Sequence, residues 1–515
     1  YPMNRLLLTP LALSALGIAS ADVPKAGPAR AAAAAPALSR VPVIRTDALV
    51  RVNATVQAYD AFQPWQKQSP AGRRGLGVVM PGRKILVTAQ MAADATYLEL
   101  ELPESEVKLP ARVAGIDYEA NLALLEGAST ADRVDAFFSG LNPIEVETRV
   151  TVGDTLNTWQ TSRVGDLIVT PLRISKILTS TYAVEGSNYL VYEGQGILRS
   201  EGNSFTLPVV KGGKLAGLLL RYDSKNQLTT VLPGLIISQF LKDMEDGKVN
   251  GFPSLGAQLQ PTMDEQFRDY LGLRPNQGGM FVSAVLKGNT AEKIGLKKGD
   301  IILSMNGFPI DSRGDYNDPD YGRLNMSHIV RGKARLGDSL EIAILRDGKE
   351  MTLKGTLGRK LPEENLVWPY LFDRGPNYLV NGGLVFQELT KPYLNAFGEN
   401  RSPTAMRLSY LAEHPEELED EGRKKLVFLS MVLPPPAAQG YGNLGGNIVN
   451  RINGQPINQL SDAAEAFKSP KNGIHVIEFA DFPRLIHLDA AQADKDNSIL
   501  KGGQFRIGTL SRIEY

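Results

Sequence analysis

Short apolar segments separated by glycine and proline run through residues 45–245. Examples are GLGVVM, KILVTA, TYLELEL, LPARVAGI, NLALLEG, NYLVYEG and KLAGLLLRY. Several β-strands at this spacing predict a barrel or a sandwich. Residues 236–244 then show the periodicity of an amphipathic helix. The pattern predicts one mostly β domain over residues 45–249, with this helix closing it.

An internal repeat dominates the second half of the chain. The segment GDIILSMNGFPID, residues 299–311, returns as GNIVNRINGQPIN, residues 446–458. Each copy predicts a turn, a buried strand, a tight Asn-Gly turn and a second short strand. Two copies of one supersecondary unit indicate two related domains. We place these domains at residues 250–360 and 361–515.

The N-terminal residues have the pattern of an export signal. Met3 and Arg5 begin a short basic start, residues 6–18 are apolar, and Ala19-Ser20-Ala21 is a small-residue cleavage pattern. This predicts a signal peptide at residues 1–21 and a periplasmic or extracellular protein, with an uncleaved anchor as the alternative. The Ala- and Pro-rich residues 22–44 predict a flexible tether, with an Ala-rich helix as the alternative.

Composition narrows the possible chemistry. The 515 residues include 56 Lys+Arg and 56 Asp+Glu, so no charge excess points to nucleic acid or to an anionic membrane. The chain has no cysteine, which excludes disulfides, thiolate metal sites and a cysteine nucleophile. The sequence contains no HExxH motif, no P-loop and no metal-spaced histidine cluster. We therefore expect no metal and no cofactor.

The segment GGMFVSAVLKGNTAEKIGLKKGDIILSMNGFPI, residues 278–310, resembles the centre of a PDZ domain. Upstream, Leu255, Gly256 and Ala257 occupy the position of the loop that binds a peptide carboxylate in bacterial-type PDZ domains. A glycine-containing loop can turn successive N–H groups toward a carboxylate, and an extended peptide then pairs with the adjacent strand. The resemblance implies a helix at residues 323–330 as the opposite wall. His328 in this helix would contact a ligand hydroxyl; an ordinary surface or core histidine is the alternative.

The second copy of the repeat is more divergent. Its carboxylate loop would be Gly382 with Gly383, Leu384, Val385 and Phe386. A charged insert at residues 414–425 predicts a solvated helix. The phrase GGLVFQELTKPYL resembles the second PDZ domain of plant-type Deg proteases. In that family this domain is associated with assembly as well as with ligand contact.

Residues 70–245 resemble the trypsin-like domain of HtrA/Deg proteases, in which one or two PDZ domains follow such a domain. The segment LVTAQM resembles the strand that ends in the histidine base, GIDYEANLALL resembles the segment with the orienting aspartate, and GNS resembles the nucleophile motif. The resemblance implies a mostly β fold, a trypsin-like double β-barrel followed by two PDZ (α+β) domains. It places Met91, or Gln90 after a one-residue shift, at the base position, Asn121 at the aspartate position and Ser204 at the nucleophile position.

The predicted protease domain contains no histidine, because the four histidines are His328, His414, His475 and His487. A serine hydroxyl without a general base is a weak nucleophile, and a methionine thioether cannot accept a proton near neutral pH. Ser204 is also followed by Phe-Thr-Leu where the family has Gly-Gly-Pro. Lys211 and Lys214 are the remaining candidate bases for a Ser-Lys dyad.

Two hypotheses result. In the first, the protein is non-catalytic and its PDZ domains bind peptide C-termini or unfolded segments, as a scaffold, an adaptor or a chaperone-like factor. The resemblance to HtrA proteases implies a homo-oligomer built on trimers. In the second, the protein is a serine endopeptidase that uses Ser204 with an unconventional base.

Overall fold

The computed structural model describes residues 45–105, 107–162, 166–199, 206–399, 402–415, 418 and 422–515. The predicted signal peptide, the tether and Ser204 lie outside the described residues. The fold is mostly β, with 40% strand and 19% helix. The predicted fold class is therefore confirmed.

The first barrel is a closed sheet of six strands, paired in the order β1-β2-β3-β6-β5-β4. Alternate residues of β1, Val50, Val52 and Ala54, point into the barrel and are at most 4% exposed. This alternation is the period-2 pattern that a half-buried strand requires. The strands are Leu49–Val56, Ala71–Met80, Lys84–Val87, Ala95–Glu101, Lys108–Asp117 and Leu122–Gly127.

The second barrel repeats this architecture in the order β10-β11-β12-β9-β8-β7. Its strands carry three large aromatic side chains that are at most 1% exposed, Trp159, Tyr189 and Tyr192. The strands β7 to β12 are Thr155–Thr161, Leu167–Thr181, Asn188–Gln195, Pro208–Lys211, Lys214–Asp223 and Leu228–Pro233. Two closed six-stranded barrels in succession are the double β-barrel that the resemblance to HtrA/Deg proteases implies.

Three helices accompany the barrels: α1 (Ala89–Ala92), α2 (Ala131–Phe138) and α3 (Gly234–Asp243). Helix α3 is the predicted closing helix, and Ile236, Ile237 and Phe240 on one of its faces are fully buried. Short 3-10 turns lie at Thr46–Ala48 and Met244–Asp246.

The first PDZ unit contains a sheet in the order β13-β14-β15-β19-β20, with β16 paired to β15, and a separate β17-β18 hairpin. Its strands β13 to β20 are Ala257–Pro261, Met280–Val285, Ile301–Met305, Phe308–Pro309, Asp315–Asp318, Gly322–Asn325, Ser339–Arg346 and Lys349–Thr356. Its helical segments are α4 (Glu265–Tyr270), α5 (Thr290–Lys293) and a π-helical turn, Ile329–Lys333.

The helix predicted at residues 323–330 begins later than expected. Strand β18 covers its first residues because Asp318 accepts hydrogen bonds from the N–H groups of Asp320 and Tyr321 at 2.9 and 3.0 Å. This tight turn sends the chain back along β17 as a hairpin. Only the following π-helical turn forms a helical wall.

The second PDZ unit contains an eight-stranded sheet in the order β27-β26-β24-β23-β22-β21-β28, with β25 paired to β24. Strands β21 to β28 are Tyr378–Asn381, Leu384–Glu388, Val427–Val432, Asn447–Ile452, Gln455–Pro456, Ile474–Phe479, Leu485–Asp489 and Ser511–Arg512. Its helices are α6 (Lys391–Asn395), α7 (Pro403–Glu413), α8 (Leu460–Ala466) and α9 (Ala490–Leu500), and 3-10 turns lie at Pro362–Glu364 and Pro436–Ala438.

The two copies of the sequence repeat adopt the same local structure, β15 with β16 and β24 with β25. The Asn-Gly turns have positive φ at both residues, +47° and +78° at Asn306-Gly307 and +53° and +82° at Asn453-Gly454. Positive φ at both central positions is the requirement of a tight type I′ turn, which asparagine and glycine meet at low cost.

Part of the solvated helix predicted at residues 414–425, residues 416, 417 and 419–421, lies outside the described residues. Lys425, its last residue, is buried at 3% exposure and does not fit the prediction. Its ammonium group donates to the carbonyl oxygens of Glu363 and Asn365 at 2.5 and 2.6 Å and lies 4.5 Å from the centre of the Trp368 ring. These contacts explain the burial of this charged side chain.

Among the described helices, none has the length and apolar composition that a membrane-spanning helix needs.

Candidate peptide-binding and triad sites

The loop Leu255-Gly256-Ala257 is held in position by the segment that leads into α5. The N–H of Ala291 donates to the carbonyl of Leu255 at 2.8 Å, and the N–H of Leu286 donates to that of Gly256 at 2.9 Å. Gly256 has φ +72°, and a Cβ at this position would lie 2.0 Å from Cβ of Asn289. A larger residue at position 256 would therefore both strain the backbone and displace Asn289.

Strand β13 leaves this loop as the edge strand of its sheet, and a cavity of about 460 Å³ lies against it. An edge strand presents N–H and C=O groups with which an extended peptide can pair. The cavity has apolar walls, to which Leu255, Leu259, Leu286, Met305, Met326 and Val330 contribute. These side chains can accept an apolar residue of a ligand.

Charged residues surround the apolar walls. Arg331, Arg359 and Lys360 line the cavity together with Glu119 and Glu185. Glu119 comes from the turn between β5 and β6, and Glu185 comes from the turn between β8 and β9. Both barrels thus contribute to a cavity that the sequence assigns to the PDZ domain alone. The sequence analysis did not identify Arg331 and Arg359 as residues of the binding site. Arg331 directly follows the predicted helical wall and Arg359 follows β20, so their positions in the sequence could have indicated them.

His328 does not line this cavity. It is 1% exposed, and neither ring nitrogen has a hydrogen-bond partner among the described residues. The ring packs over Gly332 and lies 6.0 Å from the ring of Tyr321, centre to centre. Ser327, Val330 and Arg331 face the cavity, so His328 points to the opposite side of the turn. This position does not fit contact with a ligand, and burial lowers its pKa to about 4.

The predicted carboxylate-binding loop of the second PDZ unit leads into a strand that is paired on both sides. Gly383 lies in the turn from β21 to β22, and Leu384, Val385 and Phe386 are fully buried within β22. Strand β22 pairs with β21 on one side and with β23 on the other. Since the chain supplies both neighbours, β22 has no edge for a peptide, and the prediction that these four residues bind one is wrong for this conformation.

Two of the predicted triad segments, those of Gln90 and Asn121, meet at helix α1, at the end of β3. The N–H of Gln90 donates to Oδ1 of Asn121 at 3.0 Å. The N–H of Thr88 donates to Oγ1 of Thr206, two residues after Ser204, at 3.3 Å. These hydrogen bonds bring the segments of Gln90, Asn121 and Thr206 together. The placement of Ser204 itself lies outside the described residues.

The side chain at the base position points into the barrel. Met91 is fully buried in the core of the first barrel, whereas Gln90 beside it is exposed. Asn121 is 1% exposed and has φ +54°, a left-handed conformation that asparagine tolerates better than most residues. Neither Met91 nor Gln90 carries a group that can serve as a base near neutral pH.

The two candidate lysine bases are engaged in ion pairs. Nζ of Lys211 lies 2.7 Å from Oδ2 of Asp154, and Nζ of Lys214 lies 2.7 Å from Oε2 of Glu145. The hydrogen bond and charge of Glu145 raise the pKa of Lys214. A general-base lysine needs the opposite shift.

Within the described residues, no three His, Asp or Glu side chains are grouped so that they could hold a metal ion. The carboxyl group of Asp117, four residues before Asn121, is buried. Burial raises its pKa to about 6, and its Oδ2 has no partner among the described residues.

The double barrel, the edge groove and the repeated PDZ topology define a trypsin-like domain followed by PDZ domains. A family profile described as PDZ domain matches residues 250–315, and another of that description matches residues 367–507. The chain is a homologue of the Do-like proteases of the HtrA/Deg family. It is 27% identical over 441 residues to Protease Do-like 2, chloroplastic, of Arabidopsis thaliana, covering 84% of this chain and 70% of that protein.

A second relative in the same organism is Protease Do-like 4, mitochondrial. It is 27% identical over 354 residues, which cover 67% of this chain and 66% of that protein. Among solved structures, the HtrA-type protease AlgW with decapeptide superposes with a TM-score of 0.45 at 20% identity. That superposition covers 62% of this chain and 97% of the AlgW chain.

Proposed function

We propose that this protein is a non-catalytic member of the HtrA/Deg family that binds peptide C-termini or unfolded segments through its first PDZ unit. The observation that carries the proposal is the sequence of the double barrel, which has no histidine to act as the general base. The protein would act as a scaffold, an adaptor or a chaperone-like factor.

The groove beside β13 supports the binding half of the proposal. It combines an edge strand, a positive-φ glycine loop, apolar walls and three cationic side chains within one cavity. An extended peptide would pair with β13, place its last side chain among Leu259, Met305 and Val330, and direct its carboxylate to the N–H groups of the loop. We accordingly assign ligand binding to Leu255, Gly256 and Ala257.

Two experiments test the two parts of the proposal, the lack of proteolytic activity and the binding of peptides. Digestion of casein by the purified protein, beside a Ser204→Ala variant, should show no cleavage that depends on Ser204. Fluorescence polarisation with labelled peptides should show binding that Gly256→Val abolishes, because the added side chain displaces Asn289. Casein cleavage that disappears with Ser204→Ala would disprove the non-catalytic role.

A serine endopeptidase is the second candidate, and the names of the relatives favour it, because both Do-like proteins are called proteases. The ion pairs of Lys211 and Lys214 count against a lysine base within the chain. The remaining source of a general base for Ser204 is a partner protein. Adding candidate partners to the casein assay would reveal such a base.

Assembly, domain bounds and location complete the proposal. We expect a homo-oligomer built on trimers, with domains at residues 45–249, 250–360 and 361–515. We also expect export, guided by the signal-like residues 1–21. Sedimentation measures the oligomer, and fractionation of cells that express the tagged full chain measures the location.

A further inference from the structure

We propose that Arg331 and Arg359 select ligands that carry an acidic side chain close to the C-terminus, and that Glu119 occupies these two guanidinium groups while the cavity is empty. The inference rests on the proposed function and names the ligand class of that site. It concerns residues outside the Leu255-Gly256-Ala257 loop.

Glu119 lies between the two arginines. Its Oε2 is 3.4 Å from NH1 of Arg331, and its Oε1 is 3.4 Å from NH2 of Arg359. The three side chains are only 13–15% exposed, so water screens their charges poorly. One carboxylate of the first barrel thus serves two cations of the PDZ unit.

This arrangement leaves hydrogen-bonding capacity unused. Charge-assisted N–H···O bonds are usually about 2.7–2.9 Å long, shorter than either contact of Glu119. Nε of Arg359 is buried without a partner among the described residues. The other contacts of the arginines are weaker or neutral: Arg359 donates to the carbonyl of Asn250 at 2.9 Å, and Arg331 lies 5.2 Å from the ring centre of Tyr189.

The position of the arginines indicates which carboxylate they would bind. The N–H groups of the loop are placed for the terminal carboxylate, and the apolar walls are placed for the terminal side chain. Arg331 and Arg359 line the same cavity without belonging to the loop. Because the proposed pose directs the terminal carboxylate to the loop N–H groups, a second anionic group at the arginines belongs to a preceding side chain. Aspartate and glutamate supply the same carboxylate chemistry as Glu119 and can replace it.

Other charges near the cavity do not change this conclusion. Lys360 and Glu185 also line it, with opposite charges. Asp117 does not line it, although its carboxyl interacts electrostatically with Arg359. Glu119 is therefore the acidic group that a ligand has to displace.

Fluorescence polarisation with two sets of labelled hexapeptides ending in valine tests the inference. One set carries aspartate at each of the three preceding positions in turn, and the other carries asparagine there. We expect one aspartate peptide to bind about tenfold more tightly than its asparagine partner, an effect of one charged hydrogen-bond pair. Equal binding of both sets would overturn the acidic preference while leaving the proposed function intact; binding of neither set would overturn the proposed function.

Variants identify the groups responsible. Arg331→Gln should remove the preference, and Glu119→Gln should increase it, because the competing carboxylate is gone. Arg274→Gln is the matched control, since Arg274 forms an exposed ion pair with Glu350 elsewhere on the PDZ unit. Thermal unfolding of each variant establishes that it is folded. A preference that persists in folded Arg331→Gln, or that does not grow in folded Glu119→Gln, would contradict the inference.

Discussion

The side-chain oxygen of Asn121 accepts a hydrogen bond from the backbone N–H of Gln90 at 3.0 Å and so joins the turn after β5 to helix α1. Asn121 is the residue that the resemblance to HtrA/Deg proteases aligns with an orienting aspartate, and its partner here is a backbone amide beside the buried Met91. This hydrogen bond joins the two segments directly, in a part of the chain that contains no histidine.

Asn121→Ala should destabilise the protein by about 1–3 kcal/mol. The substitution removes an acceptor from a partly buried N–H group and places alanine at φ +54°. Asn121→Asp is the matched control, because its carboxylate keeps an acceptor for Gln90. Urea unfolding measures both variants, and an equal loss of stability in the two would contradict a role for the acceptor atom.

Met91→Ala should destabilise the protein by about 2–5 kcal/mol, the usual cost of removing a fully buried methionine side chain. Gln90→Ala is the neighbouring control, since its side chain is exposed and its backbone N–H remains. The measurement is urea unfolding at neutral pH. A small effect of Met91→Ala would mean that Met91 points out of the core toward the serine segment.

Stability should fall at acidic pH because of His328. Burial lowers its pKa to about 4, below the ordinary 6.5, so the folded state favours the neutral ring. Its contribution to stability is therefore complete above pH 6.5 and is lost as the pH falls from 6.5 to 4. One pKa unit corresponds to about 1.4 kcal/mol, so the loss is about 3 kcal/mol.

His328→Leu should flatten this dependence, and His487→Leu, on the exposed face of β27, should leave it unchanged. Burial also lowers the pKa of His475, which keeps a smaller dependence of the same sign in the variant. Urea unfolding at pH 7 and at pH 4 gives the comparison. An unchanged pH dependence in His328→Leu would show that the ring is solvated in the native state.

Glu388→Ala should destabilise the second PDZ unit by about 3 kcal/mol or more. Its buried carboxylate accepts from Trp368 and Asn377 at 3.3 and 3.1 Å, and from the Leu460 N–H and the Tyr515 hydroxyl at 3.1 and 2.7 Å. Removing it leaves buried donors without an acceptor.

Glu341→Ala is the control for Glu388→Ala, because Glu341 forms an exposed ion pair with Lys354 that contributes little. Thermal unfolding compares the two. Similar, small effects would show that the four donors reach water instead of the carboxylate.

Much of the fold could be predicted from the sequence. Short apolar segments broken by glycine and proline predicted a barrel or a sandwich, and the resemblance to HtrA/Deg proteases specified the double β-barrel. The repeat located the two PDZ units through a turn that needs asparagine and glycine. The absence of histidine from residues 45–249 is a property of the sequence alone, and it argues against triad chemistry without any alignment.

Long-range pairing decided the rest. Strand β23, residues 427–432, covers one edge of β22 from a distant part of the chain, whereas β21 covers the other edge as its hairpin neighbour through Gly382-Gly383. Glu119 reaches the cavity of the PDZ unit from a turn about 210 residues before Arg331. Whether His328 faces ligand or core depended on where one helical turn began. The second edge of β22 and the cavity are completed by residues distant in sequence, so only the tertiary structure could place them.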